Sequence, residues 1–345
     1  MGFRGRYQGY DTQGGCEMRQ NKILITGGAG FFGHHLVEHI FKNNDWDIVI
    51  WDKLTYASNG YDRLRDIQVF DEKRVKIFNV DFSVPISTGV VRETGKVDFI
   101  VHAGAETHVD NSIKEPHLFE RSNVRGTLYM LDYAKQQKPS IFLYFSTDEV
   151  FGPAPKGVDY KEEDRHNPTN PYSASKSSAE AFCKAYANCY GIPIIITRTM
   201  NLFGERQHSE KFIPLVLDKV LKGETVTIHA DKTRAKAGQR KYIHCRNASD
   251  AILFILNNGI IGETYHIVGE KEVDNLTLAR QIAQVVNKPL KYEMVDFHSS
   301  RPGHDLRYSL SGEKLAKLGW KPPKAFDQSL TKTILWTIEN NKWMQ

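Results

Sequence analysis

The stretch Thr26-Gly27-Gly28-Ala29-Gly30-Phe31-Phe32-Gly33 constrains this chain more than any other segment. It follows the apolar run Lys22 to Thr26 (KILIT), which reads as a buried strand, and opens a periodic stretch from Phe31 to Phe41, which reads as a helix. Gly27 allows a tight turn, Gly30 lets backbone approach a pyrophosphate, and Gly33 lets the helix pack on a sheet. Phosphates at such a turn face the helix N-terminus, where free N–H groups and the helix dipole favour anions. A second strand, Asp47 to Trp51, is followed by Asp52, 19 positions after Gly33. A carboxylate there receives the ribose 2′-OH and repels a 2′-phosphate, so the expected cofactor is NAD rather than NADP. Lys53 beside it works against that preference.

Further apolar runs continue the pattern at Val75 to Asn79, Val97 to His102, Ile141 to Ser146 and Pro193 to Arg198. Helical periodicity lies between them, most clearly at Leu118 to Lys135 and Tyr172 to Tyr190. Continuous apolar strands separated by helices predict an α/β fold: a Rossmann-type, doubly wound parallel sheet covered on both faces. The pattern loosens after Asn201. A helix at Asn247 to Asn257 and a strand at Thr264 to Val268 read as returns to the first sheet. The expected division is an N-terminal tail over 1–20, an NAD-binding body over 21–200 plus 238–268, and a smaller mixed α/β lobe over 201–237 plus 269–345.

The chain has 345 residues and a net charge of +5, with 46 Lys and Arg against 41 Asp and Glu. That balance suits an anionic small ligand and does not call for nucleic acid. The cysteines, Cys16, Cys183, Cys189 and Cys245, show no CxxC or metal-ligand spacing, so no metal is expected and reduced thiols in the cytoplasm are. No apolar run approaches the roughly 20 residues of a membrane span. Residues 1–20 are Gly-rich and polar, with no apolar segment of the kind a secretory signal needs, and Met18 could serve as a second start.

Tyr172 and Lys176 stand at i and i+4 of a predicted helix and share one face. Pro168 and Pro171 precede them, which suits a loop entering a helix. A free phenol has a pKa of about 10, so Tyr172 needs help to act as a base near neutrality. An adjacent ammonium and a cationic nicotinamide both favour the phenolate. The pair therefore suits removal of a hydroxyl proton while hydride leaves to NAD.

TGGAGFFG, YSASK and the strand-end STDEV resemble the extended short-chain dehydrogenase/reductase family. The likeness is closer to its dTDP-glucose 4,6-dehydratase subfamily, and runs from about Asn21 to about Trp320. GAETHVD (104–110) resembles that subfamily's AAESHVD, and DKLTYA (52–57), EKFIP (210–214) and RPGHD (301–305) resemble its corresponding segments. The resemblance implies a homodimer and an NAD site made of Gly27, Gly30, Phe31, Phe32, Gly33, Asp52, Lys53, Thr55, Asp81, Phe82, Ala103, Ala105, Ser122, Tyr172 and Lys176. It implies a nucleotide-diphosphate sugar held by Thr107, His108, Asn201, Lys211, Phe212, Arg240, Arg301 and His304. Neighbouring subfamilies differ at Thr147-Asp148-Glu149: decarboxylases tend to have TSE, and epimerases lack the acidic pair. In the implied reaction Tyr172 takes the C4 hydroxyl proton and NAD the C4 hydride, while Thr147 holds the C4 oxygen. Glu149 removes the C5 proton, and Asp148, as a neutral acid, protonates the departing C6 hydroxyl. One carboxyl must be charged and the other neutral, so their surroundings must separate their pKa values.

Three departures from the subfamily bear on the substrate. The loop Ala230 to Gln239 is long and carries Lys232, Arg234 and Lys236; His266 stands where relatives have Asn; and Leu202 replaces a second Asn after Asn201. Thymidine and uridine diphosphates both stay open as the base. The alternatives are a sugar-nucleotide epimerase or decarboxylase on the same scaffold, and a non-catalytic NAD-sensing or RNA-binding module using KTRAKAGQRK (232–241). That loop lacks the interleaved aromatics of an RNA surface.

Overall fold

The computed structural model describes residues 20–296 and 306–344. The tail 1–19 and the candidate residues Arg301 and His304 lie outside the described residues. Seven parallel strands form the central sheet: β1 (Lys22–Thr26), β2 (Asp47–Asp52), β3 (Val75–Asn79), β4 (Phe99–His102), β5 (Ile141–Thr147), β6 (Ile194–Thr199) and β11 (Thr264–Ile267). Their spatial order is β11-β6-β5-β4-β1-β2-β3. The chain winds outward from β1 in one direction through β2 and β3, then restarts on its other side with β4. That reversal leaves a crevice at the carboxyl ends of β1 and β4, the place where open α/β sheets bind ligands.

The doubly covered sheet follows from strand alternation. Ile23, Ile25, Ile48, Ile50, Leu143 and Ile195 point to one face, against Leu36, Val37 and Ile40 of the helix Phe31–Asn43 and Ile252 and Ile255 of the helix Cys245–Asn258. Leu24, Val49, Trp51, Ile100, Phe142 and Ile196 point to the other, against Met130 and Leu131 of the helix Gly126–Gln137 and Ala179 and Cys183 of the helix Pro171–Tyr190. Each fully buried Ile or Leu contributes about 1.5–3 kcal/mol, so neither face tolerates a one-residue slip of register.

The predicted helix Leu118 to Lys135 is interrupted. A turn of α-helix at Pro116–Phe119 leads into a π-helical segment, Glu120–Arg125, before the α-helix Gly126–Gln137. The wider turn admits Asn123, which is 1% exposed and is engaged at both ends. Its Oδ1 accepts from the Glu106 backbone N–H, and its Nδ2 donates to the Glu106 carbonyl and the Ser175 hydroxyl. Such tertiary bonds have no local signature, and π segments gather at functional sites.

A third core lies beyond the sheet. Ile213, Val216 and Leu217 of the helix Phe212–Lys222 meet Val226 and Ile228 of β8 (Thr225–Ala230), Leu278 and Ile282 of the helix Asn275–Val285, and Leu330 and Ile334 of the helix Phe326–Glu339. β8 pairs in parallel with β13 (Lys291–Asp296). The long basic loop is an ordered turn, in which Asp231 accepts from the backbone of Ala235 and Lys236 and from the Thr233 hydroxyl.

Candidate active site

Every sequence-predicted site residue within the described part lines one cavity of about 490 Å³ between the sheet's carboxyl edge and the third core. At its floor is the glycine turn. Gly27 has φ +71°, and a Cβ there would stand 2.7 Å from the Gly104 Cα. A Cβ on Gly33 would stand 1.9 Å from the Gly27 carbonyl, so the helix can only approach this closely without one. Gly30 caps the helix Phe31–Asn43 without a side chain, which leaves its first N–H groups open to the cavity. This floor fits a dinucleotide pyrophosphate.

Asp52 is 6% exposed, and its two oxygens accept from the Ala29 and Leu54 N–H groups. Burial raises its pKa, and those two bonds pull it back. The Lys53 ammonium is held by Asp81 at 2.7 Å. The objection that Lys53 offers a cation to a 2′-phosphate thus loses force, because a carboxylate already neutralises it.

The turn is tied to the π segment by one chain of hydrogen bonds. Thr127 donates to the Asn123 carbonyl at 2.6 Å, so its oxygen accepts from His102 Nε2 at 3.1 Å. His102 Nδ1 then accepts from Thr26 at 2.7 Å, and Thr26 accepts from the Gly104 N–H. Burial holds the His102 pKa down at about 3, which keeps the ring neutral as this chain requires.

The catalytic candidates come from two elements. β5 ends at Thr147 and passes directly into a 3₁₀ turn, Asp148–Phe151. Asn170 caps the helix Pro171–Tyr190 through a capping box with Ser173, with Pro171 at its first position. The same Asn170 donates from Nδ2 to Glu149 Oε2 at 3.2 Å. Helix start and acid turn are therefore fixed by one residue, which the Asn-Pro pair could have marked in the sequence.

The two acids differ as the chemistry requires. Asp148 is 4% exposed; Thr147 donates to its Oδ1 at 3.0 Å, and its Oδ2 is buried with no hydrogen-bond partner among the described residues. Burial pushes its pKa up to about 6, against a smaller downward pull from Arg240. Glu149 is half-buried and accepts a hydrogen bond instead.

Lys176 and Tyr172 line the same cavity, each in a buried setting. The Lys176 ammonium donates to the Phe145 carbonyl at 2.7 Å and sits 4.3 Å from the centre of the Tyr144 ring. Burial lowers its pKa to about 8. Tyr172 is 7% exposed, and burial, followed by the negative charge of Glu149, raises its pKa; a hydrogen bond with Thr147 is what opposes this. Burial thus holds Tyr172 as a phenol, and a positive charge close to its oxygen would favour the phenolate.

On the far wall, Lys211 and Phe212 stand at the N-terminus of the helix Phe212–Lys222, which lacks a side-chain cap. Arg240 lies 4.5 Å from the Tyr308 ring centre and donates to the Leu306 carbonyl. The Asn201 side-chain oxygen is buried with no partner among the described residues, while His108 lies 3.8 Å from Glu210. A cation, an arginine and an uncapped helix start together suit a diphosphate. His229, Asn275 and Tyr308 also line this wall and were not foreseen, since nothing local in their segments marks them; Glu210 lines it too, from the marked segment EKFIP.

Residues 23–268 match the NAD dependent epimerase/dehydratase family. The chain belongs to that family. It is 34% identical to dTDP-glucose 4,6-dehydratase 1 of Escherichia coli K12, over 94% of each chain. It is 33% identical to a trifunctional UDP-glucose 4,6-dehydratase/epimerase/reductase of Arabidopsis thaliana, over 94% of this chain and 48% of that one. Among solved structures it resembles the dTDP-glucose 4,6-dehydratase DesIV of Streptomyces venezuelae with NAD and TYD bound: TM-score 0.85, 34% identity, covering 93% of this chain and 98% of that one. These similarities bear out the expected family and the doubly wound parallel sheet.

Proposed function

We propose that this chain is an NAD-dependent sugar-nucleotide 4,6-dehydratase, a hydro-lyase that converts a nucleoside-diphosphate glucose to its 4-keto-6-deoxy form and water. The observation that carries the reading is the acid pair: one carboxyl buried toward neutrality and one held as an acceptor, beside Tyr172 in one cavity. Gly27, Gly30, Gly33, Asp52 and Asp81 would hold the dinucleotide, with Lys176 and Tyr172 toward the sugar. Bound NAD would supply a hydride acceptor for C4 and a hydride donor for C6 of the same sugar. Tyr172 accepts the C4 hydroxyl proton while Thr147 positions that oxygen. Glu149 takes the proton from C5, which the new ketone has acidified, and gives it back as C6 is reduced. Asp148 donates its proton to the C6 hydroxyl, which leaves as water. The proton gained by Tyr172 balances the one lost by Asp148, so both return to their starting states through solvent.

The division into a body (21–200 plus 238–268) and a lobe (201–237 plus 269–345) belongs to this proposal, supported by the separate third core. So does a cytoplasmic homodimer pairing through the helix Pro171–Tyr190, supported by the exposed apolar side chains Phe182 and Tyr190 on that helix. A bacterial relative named for dTDP-glucose is 34% identical and a plant relative named for UDP-glucose 33%, so the assay uses both sugars and their N-acetylated analogues. The expected result is a 4-keto-6-deoxy product with no net reduced NAD. Recovery of a C4 epimer from every substrate would overturn the reading.

A further inference from the structure

His266 departs from the pattern of the subfamily that the sequence resembles, and it does not line the cavity, since it lies on β11 at the sheet edge and is fully buried. Its surroundings account for it. Arg198 of β6, also fully buried, has five N–H donors, and every one is used. Nε donates to both oxygens of Glu180 at 3.1 Å, and Nη2 to Glu180 Oε2 at 2.8 Å. Nη1 donates to the Glu162 carbonyl at 3.0 Å and to His266 Nε2 at 3.2 Å; the remaining Nη2 proton goes to His166 Nε2 at 2.9 Å. A guanidinium only donates, so both imidazoles must accept through Nε2 and carry their proton on Nδ1. The partners of Nδ1 agree: the Ser311 carbonyl for His266 at 3.2 Å, and the Ser177 hydroxyl for His166 at 2.8 Å. Burial lowers the pKa of both rings, which suits two neutral histidines beside a permanent cation.

The two imidazoles and the guanidinium pack around the ring of Phe151, which is also stacked on Tyr160 with centroids 5.0 Å apart. His166 meets the Phe151 ring edge-on with centroids 5.4 Å apart and an angle of 87°, and His266 at 5.6 Å and 76°. Arg198 lies 4.8 Å from its centroid. Phe151 closes the 3₁₀ turn that begins with Asp148 and Glu149. Glu180 and Ser177, which anchor the other side of the bracket, belong to the helix that carries Tyr172. The bracket thus spans from the Tyr172 helix, through Arg198, to the far end of the acid turn.

We propose that His266 and His166 are positioning residues, which through Arg198 and Phe151 set the acid turn Asp148–Glu149 at its working distance from the Tyr172 helix. This rests on the dehydratase reading, and it separates the two halves of that reaction. Loss of an imidazole removes one wall from around Phe151, which keeps only its stack on Tyr160 and its apolar neighbours, while Arg198–Glu180 still holds the helix, so C4 oxidation survives and water loss is slowed. A misplacement of about 1 Å costs on the order of 100-fold in rate.

The test is His266→Leu, His266→Asn and Phe151→Leu in the full chain, with steady-state kinetics and absorbance of reduced nicotinamide on the enzyme. His266→Leu and Phe151→Leu are expected to lower kcat by tenfold or more, with KM within about twofold and reduced nicotinamide accumulating. His266→Asn, which restores an acceptor and the residue of that subfamily's pattern, is expected to return kcat to within about threefold of the starting protein. Equal loss of oxidation and water loss, or unchanged turnover in Phe151→Leu, overturns the inference. Phe151→Leu decides the matter if His266→Leu does not fold, since it leaves all the Arg198 bonds in place. Absence of any 4-keto product from the unsubstituted protein would instead count against the dehydratase reading itself.

Discussion

The two walls of the cavity are built on different principles. The sheet-side wall is backbone: strand ends, a glycine turn whose close contacts exclude any Cβ at Gly33, and a capped helix start beside a 3₁₀ turn. The far wall is side chain: Lys211, Arg240, Asn201 and Tyr308, from segments far apart in the chain. The proposed function puts the chemistry on the backbone-built wall, where 1 Å matters, and the choice of substrate on the side-chain wall. Changes on the first wall should therefore act on kcat, and changes on the second on KM.

The largest effect expected from that contrast is at Tyr172. Tyr172→Phe removes the phenol proposed to take the C4 proton, so turnover should fall roughly 10²–10⁴-fold, with no reduced nicotinamide visible. Glu149→Gln should fall by a comparable factor but leave the enzyme stalled with reduced nicotinamide accumulated. If both variants behaved alike, the acid turn and the tyrosine would not divide the reaction as described. If either changed KM alone, the division of labour between the walls would fail.

The same contrast explains what could be read from the sequence. The sheet wall uses local grammar: glycine spacing, Tyr and Lys one helical turn apart, acids at a strand end. These marked the glycine turn and the five catalytic candidates, all of which line the cavity. Tertiary partners stayed out of reach. Asn123 serves Glu106 and Ser175 from within a π segment that periodicity renders as ordinary helix. His266 stood out as a departure, but its reason is Arg198, 68 positions away. The bond from the Lys176 ammonium to the Phe145 carbonyl was out of reach too, because i,i+4 spacing gives proximity and not direction.

A smaller effect separates the acids by pH. Asp148 has its pKa raised to about 6 from 3.8. As the acid that protonates the leaving hydroxyl it works in its neutral form, so kcat/KM should fall as pH rises through about 6, and Asp148→Asn should abolish that limb along with most activity. The stability consequence has the opposite sense to that of a salt-bridged carboxylate. The native state holds the extra proton between the two pKa values, so the contribution is full below about 3.8 and lost as pH rises through about 6. At about 1.4 kcal/mol per pKa unit the loss is about 3 kcal/mol. Asp148→Asn cannot ionise and should melt higher than the native chain at neutral pH while matching it near pH 4. A native chain that gained stability from pH 4 to 7 relative to the variant would show that Asp148 is not buried as a neutral acid.

The smallest effect tests whether the walls are as separate as they look. Arg240 stands on the substrate wall, stacked on Tyr308, yet its positive charge reaches Asp148 and pulls its pKa down. Arg240→Met keeps much of the apolar stem and removes the charge. Its main result should be a KM raised by about tenfold, since a charge-assisted bond to a diphosphate is lost. Its second should be a shift of the falling pH limb to higher pH, by a few tenths of a unit at the effective dielectric of a partly buried pair. Only that second result bears on the architecture. A limb that moves shows that a residue choosing the substrate also tunes the acid that dehydrates it, so the substrate wall takes part in the timing of water loss. A limb that stays put while KM rises would confine Arg240 to binding and leave burial alone to set the state of Asp148.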